Sequence, residues 1–255
     1  MPAQAAFLDT APHWPTPGVW HADQLAQPSL PGVATGHAAL DAALPGGGWP
    51  PGALTELLLR PRQWPEWRLL LPALLAAAQR GQIVLVGPPA TPNLQALAAQ
   101  GLPAQALCWV KAPHPHDRQW AAEQALRCTQ VAAVVLWLSA GPPDPLRRLH
   151  LGAQAAPPAS APLLWVCRPQ GCRMAPSPAP LRLALHSLGL AGLEVDVFKR
   201  RGPPVPAPVR LAAPIPRLAL LPPTPLPAPT QAPSARILSF PASHARPVDR
   251  PDLAA

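Results

Sequence analysis

The chain has few charged residues and almost no lysine. Asp, Glu, Lys and Arg make up 13% of its 255 residues, which is low for a soluble protein, and lysine occurs only at Lys111 and Lys199. No apolar run of about 18 residues occurs without a break, so we expect no transmembrane helix. The N-terminus has neither a basic start nor an apolar core, so no secretory signal is expected. These absences predict a cytoplasmic protein.

The cysteines do not form a recognisable site. All four are scattered, and the last two, Cys167 and Cys172, lack the CxxC spacing of a zinc or redox site. We therefore expect reduced structural thiols, no metal and no cofactor.

Proline is abundant, and nearly all positive charge is arginine. The 43 prolines concentrate at the two ends and in loops, and the formal net charge is +8. A basic surface favours DNA or an acidic protein partner, although codon bias toward arginine explains the same charge. No basic segment is interleaved with aromatic residues, so the signature of single-strand binding is weak. Non-specific DNA contact therefore stays open.

The distribution of proline divides the chain into three parts. Residues 1–32 are predicted to form a Pro-rich N-terminal arm. Residues 33–201 alternate helical and strand patterns, which is typical of an α/β domain with a mostly parallel sheet. Residues 202–255 are dominated by proline, alanine and leucine and are predicted to be a disordered tail.

The core is predicted to contain five buried strands and a closing pair. The strands are expected at residues 53–59, 83–86, 107–110, 131–138 and 163–166, with helices between them. Residues 181–188 and 193–199 are expected to close the sheet, in an arrangement compatible with antiparallel pairing.

The segment after the first predicted strand lacks a phosphate-binding loop. In a RecA-like ATPase, this order of helix, glycine-rich turn and strand leads directly into a GxxxxGK[ST] loop. Counting from Gly52, the loop's two glycines, its lysine and its metal-binding hydroxyl fall on Leu59, Trp64, Pro65 and Glu66. Proline supplies neither an amide donor nor a cation, and glutamate repels phosphate. The loop is therefore degenerate.

Two further nucleotide-handling positions are also lost. The end of the fourth predicted strand carries Trp137, Leu138 and Ser139, with no aspartate to hold Mg²⁺. After the second strand the chain continues as Gly-Pro-Pro, without the acid that positions the attacking water in RecA-like enzymes. We therefore expect no ATPase activity.

Several segments together resemble the ImuA family of RecA-like, SulA-related accessory proteins of bacterial translesion synthesis. The resemblance covers about residues 17–202. The most specific segments are ALPGGGWPPGALTELLL at residues 43–59 and LEVDVFKRRG at residues 193–202, and weaker ones lie at residues 67–81, 120–128, 145–153 and 176–192.

The resemblance implies a RecA-like three-layer core that acts as a non-catalytic adaptor. Its expected partners are RecA and an ImuB-like Y-family polymerase homologue, with an error-prone DnaE-type polymerase as an indirect partner, in the SOS response to DNA damage. Two alternatives stay open: a SulA-like inhibitor that binds the tubulin-like division protein, and a nucleotide-dependent recombinase paralogue.

Basic residues at three places are candidate contacts with DNA or a partner. Such residues follow the fourth strand, bracket the loop after the fifth strand, and end the last strand, where they are either phosphate contacts or a solvated surface. They are Arg147, Arg148, Arg168, Arg173, Lys199, Arg200 and Arg201.

Two apolar features have competing interpretations. Trp49, Trp64 and Trp67 either fill the vacated nucleotide pocket or form an exposed hot spot for a partner. In the tail, an apolar island is either a short docking motif or an unselected remnant. The island contains Arg236, Ile237, Leu238 and Phe240.

Overall fold

A computed structural model describes residues 31–212 and 236–239 of the chain. Within these residues, five α-helices and nine strands form an α/β domain around one sheet. The helices are α1 (Ala38–Ala43), α2 (Glu66–Ala78), α3 (Leu94–Ala99), α4 (Pro115–Arg127) and α5 (Asp144–Gln154). The strands are β1 (Leu54–Leu59), β2 (Gln82–Val86), β3 (Leu107–Lys111), β4 (Val131–Trp137), β5 (Leu163–Pro169), β6 (Leu181–Ser187), β7 (Gly192–Lys199), β8 (Val209–Ala212) and β9 (Arg236–Ser239). Short 3₁₀ helices lie at Pro45–Gly47, Ala104–Ala106, Pro158–Ser160, Gln170–Met174 and Gly189–Ala191.

The sheet is mostly parallel, as predicted. Its strands follow the order β8-β7-β6-β1-β5-β4-β2-β3-β9. β7 runs antiparallel to both of its neighbours, β6 and β8, which confirms the antiparallel closing pair. The remaining pairs are parallel, so β1, β2, β3, β4, β5, β6 and β9 all have their carboxyl ends at one edge of the sheet.

The central strands are buried along their whole length. All six residues of β1 and all seven of β4 are buried. This burial explains why β4 is an apolar run rather than an alternating pattern. In β1, Thr55 and Glu56 are buried among four leucines. Alternate residues of β1 point to opposite faces of the sheet, so they join two different cores. Leu57 and Leu59 pack with α1 and α2, whereas Leu54 packs with α4 and α5.

Two strands lie in the segment that was predicted to be a disordered tail. The prediction is wrong for Val209–Ala212 and Arg236–Ser239, which add β8 and β9 to opposite edges of the sheet. Both segments lack proline, so their backbone N–H groups remain free to join a sheet edge. Residues 1–30 of the predicted N-terminal arm and residues 213–235 and 240–255 of the tail lie outside the described residues.

None of the helices in the described part of the chain is long and apolar enough to span a bilayer.

Candidate functional site

The carboxyl ends of β1, β4 and β5 meet at the edge where open α/β sheets commonly bind ligands. Leu59 of β1 lies beside Pro169 of β5, and Trp137 of β4 lies beside Cys167. The loop after β1 leads from here into α2, which begins at Glu66. The predicted degenerate phosphate loop therefore falls at this edge.

Glu66 and Trp137 meet inside the protein at this edge. Glu66 is only 1% exposed, and its Oε1 accepts a hydrogen bond from Trp137 Nε1 at 3.1 Å. The ring of Trp67 lies 5.9 Å from that of Trp137, measured between centroids. The first turn of α2 is thus tied to the end of β4 by side chains alone.

Burial controls the ionisation of this pair and its neighbour. It raises the pKa of the Glu66 carboxyl, and the hydrogen bonds from its own backbone amide and from Trp137 offset this only in part. Glu66 Oε2 is buried and has no hydrogen-bond partner. The pKa of the Cys167 thiol is raised well above its ordinary value by burial and by the nearby Glu66. The environment therefore favours the protonated carboxyl and thiol.

Replacing Glu66 with glutamine should make the protein's stability less dependent on pH. Because the pKa of Glu66 is raised in the folded protein, the folded state holds this proton more tightly than the unfolded state does. The wild-type protein should therefore lose stability as the pH rises from the ordinary glutamate pKa to the folded one. Glutamine still offers Trp137 an acceptor and does not ionise.

Urea unfolding of both proteins between about pH 4 and pH 8 measures this effect. The variant should gain relative to the wild type as the pH rises. A difference that stays constant with pH, or that favours the wild type at high pH, would contradict the prediction.

The three tryptophans around β1 and the loop that follows it do not form one cluster. Trp67 packs on Trp137, which agrees with pocket filling. Trp49 precedes β1 and is fully buried edge-on against Trp165 of β5, with centroids 5.6 Å apart. It therefore lies on the amino-terminal side of β1, away from the loop that joins β1 to α2. Trp64 is 47% exposed, so a role in partner binding stays open for it.

A buried cluster of three charged side chains connects the neighbouring strands β1, β5 and β6. The two Glu56 oxygens accept hydrogen bonds from Arg168 Nη1 at 2.9 Å and from Arg182 Nε at 2.5 Å. Arg168 also donates to the Gly141 carbonyl, and Arg182 donates to the carbonyls of Cys172 and Arg173. The cluster therefore holds two loops onto β1, β5 and β6.

This cluster changes the interpretation of Arg168 and Arg173. Arg168 is only 3% exposed and is occupied by Glu56, so the surface contact predicted for it is not supported. Arg173 is partly exposed, pairs with Asp196 at 2.7 Å, and stacks over the Phe198 ring. Sequence analysis missed Glu56 and Arg182 because nothing in their spacing shows that β1 and β6 are neighbours.

Lys199, Arg200 and Arg201 lie at the opposite, amino-terminal edge of β1. Arg200 and Arg201 border a cleft of about 320 Å³ that is otherwise lined mainly by glycine, proline and alanine. Arg200 donates to the carbonyls of Ala43 and Pro203, both at 2.6 Å, and Lys199 donates to the Ser177 carbonyl at 2.8 Å. Arg201 is exposed, so it presents its charge to solvent.

Helix α5 lies beside this basic segment. His150 of α5 accepts a hydrogen bond from the Leu54 amide at 3.2 Å, assigned to Nδ1. Burial lowers the pKa of His150, and the charges of Arg201 and Lys199 lower it further. Burial and these two positive charges together favour the neutral imidazole.

Arg147 and Arg148 lie on the exposed side of α5. Arg148 Nη2 is 2.8 Å from Glu123 Oε2. Burial alone would raise the pKa of Glu123, but the hydrogen bonds and charge of Arg148 hold it below its ordinary value. Arg148 borders a second groove, of about 610 Å³, which meets the cleft beside Arg201 at Ala156. Arg148 thus borders a groove that adjoins the cleft beside Arg200 and Arg201.

The tail island is only partly described. Arg236, Ile237 and Leu238 lie in β9 on the far edge of the sheet, and Phe240 lies outside the described residues.

Neither the scan against protein-family models nor the search of curated proteins found a match for this chain.

Proposed function

We propose that the chain is a non-catalytic, RecA-like adaptor of the ImuA type that acts in damage-induced mutagenic translesion DNA synthesis. The observation that carries this proposal is the hydrogen bond between Glu66 and Trp137. The fold, the lost loop and the basic surfaces support it in different ways.

The Glu66–Trp137 contact agrees with the register counted from Gly52. In P-loop enzymes, the hydroxyl of the loop and the aspartate at the end of a later strand hold the same Mg²⁺ ion, so the two positions must be close. The first counterpart is Glu66 by this count, and the second lies among Trp137, Leu138 and Ser139 at the end of β4. The side chains of Glu66 and Trp137 are in direct contact. An indole N–H is a donor only and cannot ligate a cation. Glu66 and Trp137 are therefore as close as the proposal requires, but Trp137 cannot hold Mg²⁺ as an aspartate would.

Loss of catalysis on an α/β core favours a protein that acts by binding. The adaptor would hold RecA and an ImuB-like polymerase homologue together and so raise the local concentration of polymerase at damaged DNA. The DnaE-type polymerase would join through the ImuB-like partner. Arg147 and Arg201 are exposed and would contact DNA phosphates or an acidic partner.

Reconstitution with purified components tests this function. RecA filaments on single-stranded DNA should recruit the ImuB-like protein in biolayer interferometry only when this chain is added. The R147E/R201E variant should weaken recruitment about tenfold or more if the basic surfaces make the contact. The matched R80E variant changes an exposed arginine that follows α2, on the other face of the sheet, and should bind like the wild type.

Three other outcomes would overturn or redirect the proposal. Failure to bind either RecA or the ImuB-like protein would reject the adaptor. Binding to the tubulin-like division protein alone would establish the SulA-like inhibitor instead. Tight ATP binding would contradict the loss of the loop and favour a recombinase paralogue.

A further inference from the structure

The edge strand β3 is covered by a short segment from far along the chain. β9 pairs in parallel with β3, and its four residues Arg236–Ser239 lie opposite Cys108, Trp109, Val110 and Lys111 in that order. Parallel pairing makes this a tertiary contact rather than a hairpin, because residues 112–235 separate the two strands.

Side chains contribute little to holding β9 in place. All four of its residues are exposed, and its two apolar side chains, Ile237 and Leu238, remain 49% and 48% exposed. A four-residue strand that buries so little apolar area belongs to the least stable elements of a fold. Its attachment therefore rests mainly on backbone hydrogen bonds, which any extended segment can make.

The strand beneath it is by contrast firmly placed. β3 pairs on its other side with β2 over four residues, and Trp109 and Val110 are buried. The Lys111 ammonium lies 4.5 Å from the centroid of the Trp109 ring at the carboxyl end of the strand. β3 is thus held in the sheet on its β2 side, and it carries a positive charge at its carboxyl end.

We propose that the edge of β3 is a docking site for an extended segment of a partner protein, and that Arg236–Ser239 is a built-in competitor for it. The partner segment runs parallel to β3 and places two apolar residues opposite Trp109 and Val110. An acidic residue follows them opposite Lys111, where the tail offers only Ser239. That acidic residue pairs with a charge that the tail leaves without a counterion at this register position.

Tethering makes the tail a strong competitor despite its weak contacts. A segment of the same chain competes within the molecule, at an effective concentration on the order of 1 mM. A free peptide of the same sequence must therefore displace it from β3 before it can bind. The acidic residue gives a partner segment the advantage that a tail-like sequence lacks.

Two variants of the full chain test the competition. The I237P/L238P variant removes two of the four backbone N–H donors of β9, and the I237V/L238V variant keeps a strand of similar character. The probe is a fluorescein-labelled peptide with the sequence SARILSF of residues 234–240, titrated by anisotropy. The proline variant should bind it at least about tenfold more tightly than the wild type, and the valine variant should match the wild type. Equal affinity for all three proteins, or no binding to the proline variant, would overturn the proposal.

Hydrogen exchange checks that the proline variant changes only the edge. Amides of β3 should lose protection, whereas those of β1 and β4 should keep it. A general loss of protection would indicate misfolding, and the same titration would then use I237D/L238D, which disfavours the strand by charge.

A second peptide tests the proposed acidic residue. SARILEF, with glutamate in place of Ser239, should bind the proline variant several-fold more tightly than SARILSF. Adding Lys111→Gln to that variant should abolish the difference, since the opposing charge is then gone. A preference that survives this change, or no preference at all, would reject the predicted acidic position.

Discussion

Replacing Glu56 with glutamine should lower the free energy of unfolding by about 3–5 kcal/mol. The buried carboxylate holds both Arg168 and Arg182, and the variant leaves two buried guanidinium groups without a counter-charge. Neither arginine can turn to water, because each is also bound to a backbone carbonyl on a neighbouring loop. Urea unfolding followed by circular dichroism measures the loss.

Asp196→Asn is the matched control for this variant. It also removes one carboxylate from an arginine pair, but Asp196 and Arg173 are partly exposed, so water replaces the lost contact. The control should cost only about 0–1 kcal/mol. A loss below about 1 kcal/mol for Glu56→Gln would show that the cluster is solvated or rearranges readily.

Replacing Trp49 with alanine should also cost about 3–5 kcal/mol, whereas replacing Trp64 should cost about 0.5 kcal/mol or less. Trp49 is fully buried against Trp165, so its removal leaves a large cavity between the start of β1 and β5. Trp64 is nearly half exposed and leaves no cavity. Unfolding monitored by circular dichroism avoids the change in fluorescence that either substitution causes.

Trp49→Phe serves as the control because it keeps an aromatic ring at the same place. The Trp49 indole N–H is buried without a hydrogen-bond partner, so phenylalanine removes an unsatisfied group while it leaves a smaller void. The phenylalanine variant should therefore be clearly more stable than the alanine variant. Equal losses in the two would show that ring packing is not what Trp49 contributes.

The sheet was predictable because its strands are apolar runs too short to be helices. Residues 83–86, 131–138 and 163–166 match β2, β4 and β5 closely, since strands buried on both faces need no polar alternation. The order of strands across the sheet was not predictable from such runs. It depends on contacts between residues that are far apart in the chain.

The candidate site was predictable only where counting along the chain suffices. Counting from Gly52 assigned Glu66 to the loop after β1, and the fourth apolar run located the end of β4. The hydrogen bond between Glu66 and Trp137 also depends on side-chain orientation. Proximity in sequence was misleading for Trp49 and Trp64. The six-residue strand β1, about 20 Å long, runs between them, so the two residues lie toward opposite ends of it.

Arg168 and the tail show two other limits of sequence reasoning. In the sequence, Arg168 comes directly after an apolar run, where a surface residue is expected. It is buried because Glu56, on the neighbouring strand β1, supplies its counter-charge. In the tail, the many prolines predict irregular structure on average. The overall composition does not reveal the two four-residue segments without proline that form β8 and β9.

The two outer strands, β8 and β9, are the last strands of the sheet to leave the ribosome. β8 and β9 close opposite edges of the sheet, yet both are synthesised after the seven strands that they flank. A nascent chain that has already formed β1 to β7 therefore presents open edges at β3 and at β7. Unpaired edges are templates for association with other chains, so translation that pauses before residue 209 prolongs the period of greatest risk. Slow codons in the proline-rich stretch that follows β8 would expose β3 the longest.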